Sequence, residues 1–140
     1  MSDKEVAIEW ANMTLFITRY TPSNSPTFAS RAFGYTGLTM YESIVQGFPD
    51  YKSMNGQLKG LKSLPVADDS KEYNWVLSLN AGQSEILKNI YVQTSEENIK
   101  KIDSLEHIIY DQLASTLDKE TVSRSVAFGK SVAQIIFEWS

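Results

Sequence analysis

His107 is the one imidazole in the chain and cysteine is absent, so thiol nucleophiles, disulfides and thiolate metal sites are excluded by composition. A single imidazole builds no transition-metal site unless carboxylates or a second chain complete it. On the helix its neighbours predict, His107 shares a side with Lys100, Asp103 and Asp111, away from the apolar stripe of Ile102, Leu105, Ile109 and Leu113. It reads as a solvated surface imidazole. The acid pairs Asp68-Asp69 and Glu96-Glu97 have the residue type for general acid-base work, but the second pair falls in a first helical turn, where negative charge suits the helix dipole. No serine has a base in a recognisable motif, and no strand, glycine loop and helix follow in the order a phosphate cradle needs.

Arg31 and Glu42 lie eleven residues apart on one helical face. At ~1.5 Å per residue that separation is about 16 Å, so they cannot pair with each other. Each needs another partner, and a structural ion pair or surface exposure accounts for both better than catalysis does. Trp10, Trp75 and Trp139 read as core. The site residues expected from the sequence are therefore none, whether catalytic, cofactor-binding or metal-ligating.

The elements that carry these residues are helices. From residue 4 to 20, Val6, Trp10, Met13, Ile17 and Tyr20 recur at helical spacing, with Glu5, Glu9, Asn12 and Arg19 on another side. Thr21-Pro22-Ser23-Asn24 breaks that helix. Ser25 is the expected N-cap of a second helix, with Pro26 in its first turn. Ala29, Phe33, Gly37, Met40 and Ile44 make its apolar stripe, flanked by small Ala32, Thr36 and Ser43, so a neighbouring helix is expected close to that face. Gly47, as a left-handed cap, and Pro49 end it.

Residues 50–71 have no sustained period and read as a long ordered loop with one short helical turn, pinned by Leu58, Leu61, Leu64 and Val66. A third helix over about 73–91 carries Trp75, Leu79, Ile86 and Ile90, with Gly82 in the middle of that face. Thr94 and Glu97 have the spacing of a capping box for a fourth helix that runs to about Leu117, and Asp118 caps a fifth. The fifth bears two adjoining apolar stripes, Val122, Val126, Gly129, Ala133, Ile136 and Phe128, Val132, Ile135, Trp139. Ser125, Gly129 and Ala133 open a close approach. A helix so apolar is either the centre of the bundle or has a second face that something else covers, and the second case predicts self-association.

The expected fold is thus all-α, one domain over residues 1–140 with about five helices and a long ordered loop between the second and third. At this length a chain buries roughly 70% of its unfolded surface. The net charge of -4, with Lys and Arg scattered, argues against a nucleic-acid partner. No run approaches the ~20 apolar residues of a membrane span. The first five residues lack the basic and apolar regions of a signal peptide.

The words "ASRAFGYTGLTMYESIVQGFPDYKSMNGQLKGLKSLP" and "EYNWVLSLNAGQSEILKNIY" resemble the N-terminal helical half of vanadium-dependent haloperoxidase-like proteins of the PAP2 phosphatase superfamily. The resemblance rests on Ala29-Ser30-Arg31-Ala32, Met40-Tyr41-Glu42 and Gly56-Gln57-Leu58-Lys59-Gly60-Leu61, and spans about residues 9–139. It implies an all-helical fold whose oxyanion, vanadate or phosphate, is held by a C-terminal half. That half's signature is Lys-x6-Arg-Pro, then Pro-Ser-Gly-His, then Ser-Arg with a later His. Here the residue seven beyond Lys130 is Phe137, no Gly-His occurs, and neither Ser30-Arg31 nor Ser123-Arg124 has a suitable histidine after it.

No catalytic residue transfers to this chain, and no cofactor is expected in it. The resemblance implies a non-catalytic scaffold whose partner is the C-terminal bundle of the same protein, in a parent that oxidises halides or hydrolyses phosphoesters. Export to the periplasm or beyond is implied by the resemblance only. The alternative from another class is a free-standing helical protein-protein interaction module.

Overall fold

The computed structural model describes residues 2–21, 25–61 and 63–140. Among them are five α-helices and no strand: α1 (Asp3–Arg19), α2 (Pro26–Ile44), α3 (Trp75–Ile90), α4 (Glu96–Ala114) and α5 (Lys119–Trp139). The expected all-α bundle is what forms. The interhelical break at 21–24 lies, from residue 22 on, outside the described residues.

Capping chemistry sets the helix starts. Ser25 accepts from the Phe28 amide, with Pro26 in the first turn, and Asp118 accepts from the Thr121 amide. For α4 the cap is Ser95, which accepts from the Asn98 amide, rather than Thr94. Thr94 instead accepts a 3.0 Å bond from the Asn98 side chain, so its hydroxyl is engaged one residue outside the cap.

The second helix ends differently from expectation. Its last turn tightens into a 3-10 turn, Val45–Gly47, and Gly47 is not left-handed: among the described glycines only Gly56 (φ 77°) and Gly60 (φ 85°) are. Gly47 is required for space. A Cβ there would lie 2.2 Å from the Trp75 ring, which stacks on Tyr73 with centroids 4.8 Å apart.

Helix α3 is the centre of the bundle and touches each of the other four helices. From Leu77 to Leu87 every residue except Glu85 is buried, polar ones included. Each buried polar side chain makes at least one hydrogen bond to a neighbour. Asn80 accepts from the Trp10 indole at 2.9 Å and donates to the Glu106 carbonyl at 3.0 Å, tying α1 to α4. Ser78 donates to the Ser125 carbonyl on α5 at 2.7 Å, and Gln83 donates to the Thr36 carbonyl on α2 at 2.9 Å.

The closest packing is between α3 and α5. A Cβ on Gly129 would fall 2.0 Å from the Ser78 carbonyl oxygen, and one on Gly82 would fall 2.7 Å from Ser43 Oγ. The expected close approach along Ser125, Gly129 and Ala133 therefore occurs. On α2 the expected stripe turns inward only in part, with Met40 and Ile44 packed on the core and the small flanking residues buried. Ala32, Thr36, Thr39, Glu42 and Ser43 face inward, while Phe33 and Gly37 are exposed.

Most of both stripes of α5 is covered within the chain, with Val126 left half-buried beside Tyr110 and Ala114. Phe128, Val132, Ala133 and Ile136 share a core with Leu61, Leu64 and Ile86, and Ile135 and Trp139 pack against it. The long connection from α2 to α3 thus packs on the Phe128, Val132 and Ile136 side of α5. Among its described residues that connection contains turns but no helix, and Val66, expected to pin it, is 80% exposed. Its pins are Leu61 and Leu64, with Leu58 partly packed.

Candidate functional site

The residues that could do chemistry do not converge. His107 is exposed on α4, 3.1 Å from Asp111. Arg19 lies over the Tyr20 ring of its own helix end; Arg124 donates to the Glu72 carbonyl and lies over Tyr73; Arg31 is exposed. These are all the arginines of the chain, and they stand on α1, α5 and α2. Gripping vanadate or phosphate takes several converging cations and donors. This set, with Arg19, Arg124 and His107 each held by a different neighbour and Arg31 exposed, does not fit such a group. Among the described residues no three His, Asp or Glu side chains gather in a metal-binding cluster, and no helix is long and apolar enough to cross a membrane.

What the structure does build is a polar clamp on the connection from α2 to α3, which runs as a strap over α5. Glu42 is 1% exposed, and its two carboxyl oxygens accept from the Ser53 hydroxyl and, at 2.8 Å, from the Met54 amide. One turn on, Gln46 donates to the Pro65 carbonyl at 2.9 Å and accepts from the Ala67 amide at 2.8 Å. Tyr41 donates to the Lys52 carbonyl at 2.6 Å, and from the other side Trp139 donates to the Lys59 carbonyl at 2.9 Å. A strap without regular structure has backbone groups to satisfy, and these side chains satisfy them at both ends and in the middle.

Arg31 and Glu42 thus resolve separately: the arginine is exposed and the glutamate is held by neutral donors. No salt bridge reaches Glu42 among the described residues. The clamp was not anticipated. A signal for it exists in the sequence, since Glu42 and Gln46 are spaced i,i+4 on one face just before a segment with no periodicity.

Three titrations are shifted. Hydrogen bonds from the Thr121 hydroxyl and amide hold the Asp118 carboxyl below its usual range, and those from Ser70 do the same for Asp68. Burial pushes the Tyr91 phenol up, opposed by its bond with Thr18. A depressed carboxyl contributes stability that is present above its unfolded pKa and is lost as pH falls through the folded one. Melting temperature should therefore drop on acidification below about pH 4. Asp118→Asn, which keeps a capping oxygen, should make that acid limb shallower; an unchanged limb in a pH series of thermal melts would remove Asp118 from the account.

The class of fold follows from the comparison with solved structures: it is haloperoxidase-like. The chain superposes on a bacterial vanadium-dependent iodoperoxidase with a TM-score of 0.78 and 29% sequence identity, over 96% of this chain and 31% of that one. This chain therefore spans about a third of the iodoperoxidase's length. No family model and no curated protein matches it.

Proposed function

We propose that this chain is the non-catalytic, N-terminal helical scaffold of a vanadium haloperoxidase-like or acid-phosphatase-like protein of the PAP2 superfamily. The oxyanion site belongs to a C-terminal bundle of the same protein. The observation that carries the reading is the asymmetry of the structural match, which takes in nearly all of this chain and under a third of the iodoperoxidase. The dispersion of Arg19, Arg31, Arg124 and His107 supports it, because the cations and imidazole that grip an oxyanion have to come from elsewhere. What the 140 residues supply is a rigid block: α3 pinned to all its neighbours and a strap clamped over α5.

The experiment is to express the reading frame past Ser140 and assay it with vanadate, peroxide and iodide, and separately with a phosphoester. The longer polypeptide should turn over one of these substrate sets, while residues 1–140 alone turn over neither. Activity in the 140-residue chain, or a continuation without Arg-Pro, Ser-Gly-His and Arg-plus-His motifs, would reject the proposal.

A further inference from the structure

The outer face of α2 is built as if something lay on it. Gly34 and Gly37 are exposed within the helix, and a Cβ on either would meet no atom within 4 Å. A helical glycine costs about 1 kcal/mol relative to alanine. For Gly82 and Gly129 the reason is their close contact with Ser43 and Ser78; for Gly34 and Gly37 nothing among the described residues supplies one. Beside them a groove of about 320 Å³ runs between α1 and α2, walled by Ala11, Leu15, Phe33 and Met40. Leu15 is 56% exposed and Phe33 41%. Among the described residues no charged one lines the groove.

Its lining also includes Gln83, 1% exposed, whose Nε2 is bonded to the Thr36 carbonyl while its Oε1 has no partner among the described residues. A buried acceptor left unpaired is costly, and such groups are rare in finished structures. Apolar walls, two glycines facing open space and an acceptor without a donor occur together at this one place.

We propose that this face receives the segment that continues past Ser140 in the longer polypeptide. It docks as a helix with an apolar stripe, crossing α2 at Gly34 and Gly37 and bringing a hydroxyl or amide donor to Gln83. The inference rests on the functional reading above. The place of the C-terminus selects the occupant: the Trp139 ring packs edge-on against Tyr35 of α2, with centroids 6.1 Å apart, so chain continuing from Ser140 leaves the bundle beside α2. At about 100° per residue, Gly34 and Gly37 stand between Tyr35 and Phe33 around that helix. A segment passing from the terminus to the groove crosses the side of Leu38 and exposed Arg31 and then the glycines, where the absence of Cβ atoms permits close contact. The uncharged lining suits an apolar helix and gives a charged peptide no partner.

The test uses the absence of cysteine. Gly37→Cys introduces a thiol where there is room for it and improves helix propensity, so the fold is not at risk. Its rate of maleimide labelling is compared between residues 1–140 and the longer polypeptide, with Gln112→Cys on the exposed side of α4 as the reference thiol. The expected result is fast labelling in the short chain and at least tenfold slower labelling in the long one, relative to Gln112→Cys. Equal rates at Gly37→Cys in a catalytically active long polypeptide overturn the docking proposal and leave the functional reading standing. A protected thiol in an inactive long polypeptide supports the docking and overturns the functional reading. Protection that develops in the short chain as its concentration rises assigns the face to a second copy and overturns the proposal.

Discussion

Gly129→Ala is expected to lower the stability of the 140-residue chain by roughly 3 kcal/mol, at the upper end of what overpacking a core usually costs. The added Cβ would stand 2.0 Å from the Ser78 carbonyl oxygen, 2.8 Å from its carbon and 3.0 Å from its Cα. All three are backbone atoms, so no rotamer change relieves the clash. Helix α3 cannot retreat, because it is packed against all four other helices. Helix α5 must move, and with it go the 2.7 Å bond from Ser78 to the Ser125 carbonyl and the 2.9 Å bond from the Asn74 amide to Ser125 Oγ. The gain in helix propensity, about 1 kcal/mol, works in the opposite direction and is too small to compensate.

For a chain of this length that loss corresponds to a fall in melting temperature of roughly 10 °C. Gly37→Ala is the matched control, since it makes the same change in a helix where the new methyl meets nothing. It should leave the melting temperature unchanged or raise it slightly. Thermal unfolding followed by far-UV circular dichroism separates the two, and a similar shift in both variants would mean that the α3–α5 contact is not what Gly129 is there for.

Gly129 was readable from sequence as a small residue at helical spacing with Ser125 and Ala133, and so was the crowding that makes it necessary. The corresponding reading of α2 holds for the small Ala32, Thr36 and Ser43 and for Met40 and Ile44, which pack on the core, but not for Phe33 and Gly37, which are exposed. Ala29, Phe33, Gly37, Met40 and Ile44 form the more apolar stripe, yet the helix buries Ala32, Thr36, Thr39, Glu42 and Ser43. The reason is local. Thr39 donates to the Tyr35 carbonyl at 2.8 Å and Ser43 to the Thr39 carbonyl at 2.7 Å, so these hydroxyls are satisfied by their own helix and the face packs as if it were small and apolar.

A hydropathy stripe measures how much a face would gain from burial, not which face can come nearest to a glycine-bearing neighbour. Here closeness to Gly82 decided, and Phe33 was left outside. The strap shows the same limit: Leu61 and Leu64 could be picked out by type, but Val66 has the same character and is 80% exposed. Which of them turns inward depends on where Glu42 and Gln46 hold the backbone, and that is a long-range matter no local period encodes.

Glu42→Ala should cost about 2–3 kcal/mol and release the strap before the bundle melts. The side chain is fully buried, so its removal leaves a void and takes the acceptor from two donors at once, the Ser53 hydroxyl and the Met54 amide. A donor left without an acceptor in a buried place costs roughly 1–3 kcal/mol. Water can reach part of the vacated site, because Ser53 and Met54 are only half-buried, which keeps the total below the sum of two full penalties.

The consequence is regional. Gln46 still holds Pro65 and Ala67, and Trp139 still holds Lys59, so the strap should loosen at its first third, around residues 50–57, while α3 and α5 stay in contact. Limited proteolysis should then cut there at least tenfold faster than in the parent chain, with the helical circular dichroism signal retained at the start of digestion. Glu42→Gln keeps the volume and one acceptor but turns an amide NH2 toward one of the two donors, so it should fall between the parent and Glu42→Ala in both cleavage rate and melting temperature. If Glu42→Ala were cut no faster than the parent in the strap, the clamp would not be what orders this connection, and Leu61 and Leu64 would be doing so alone.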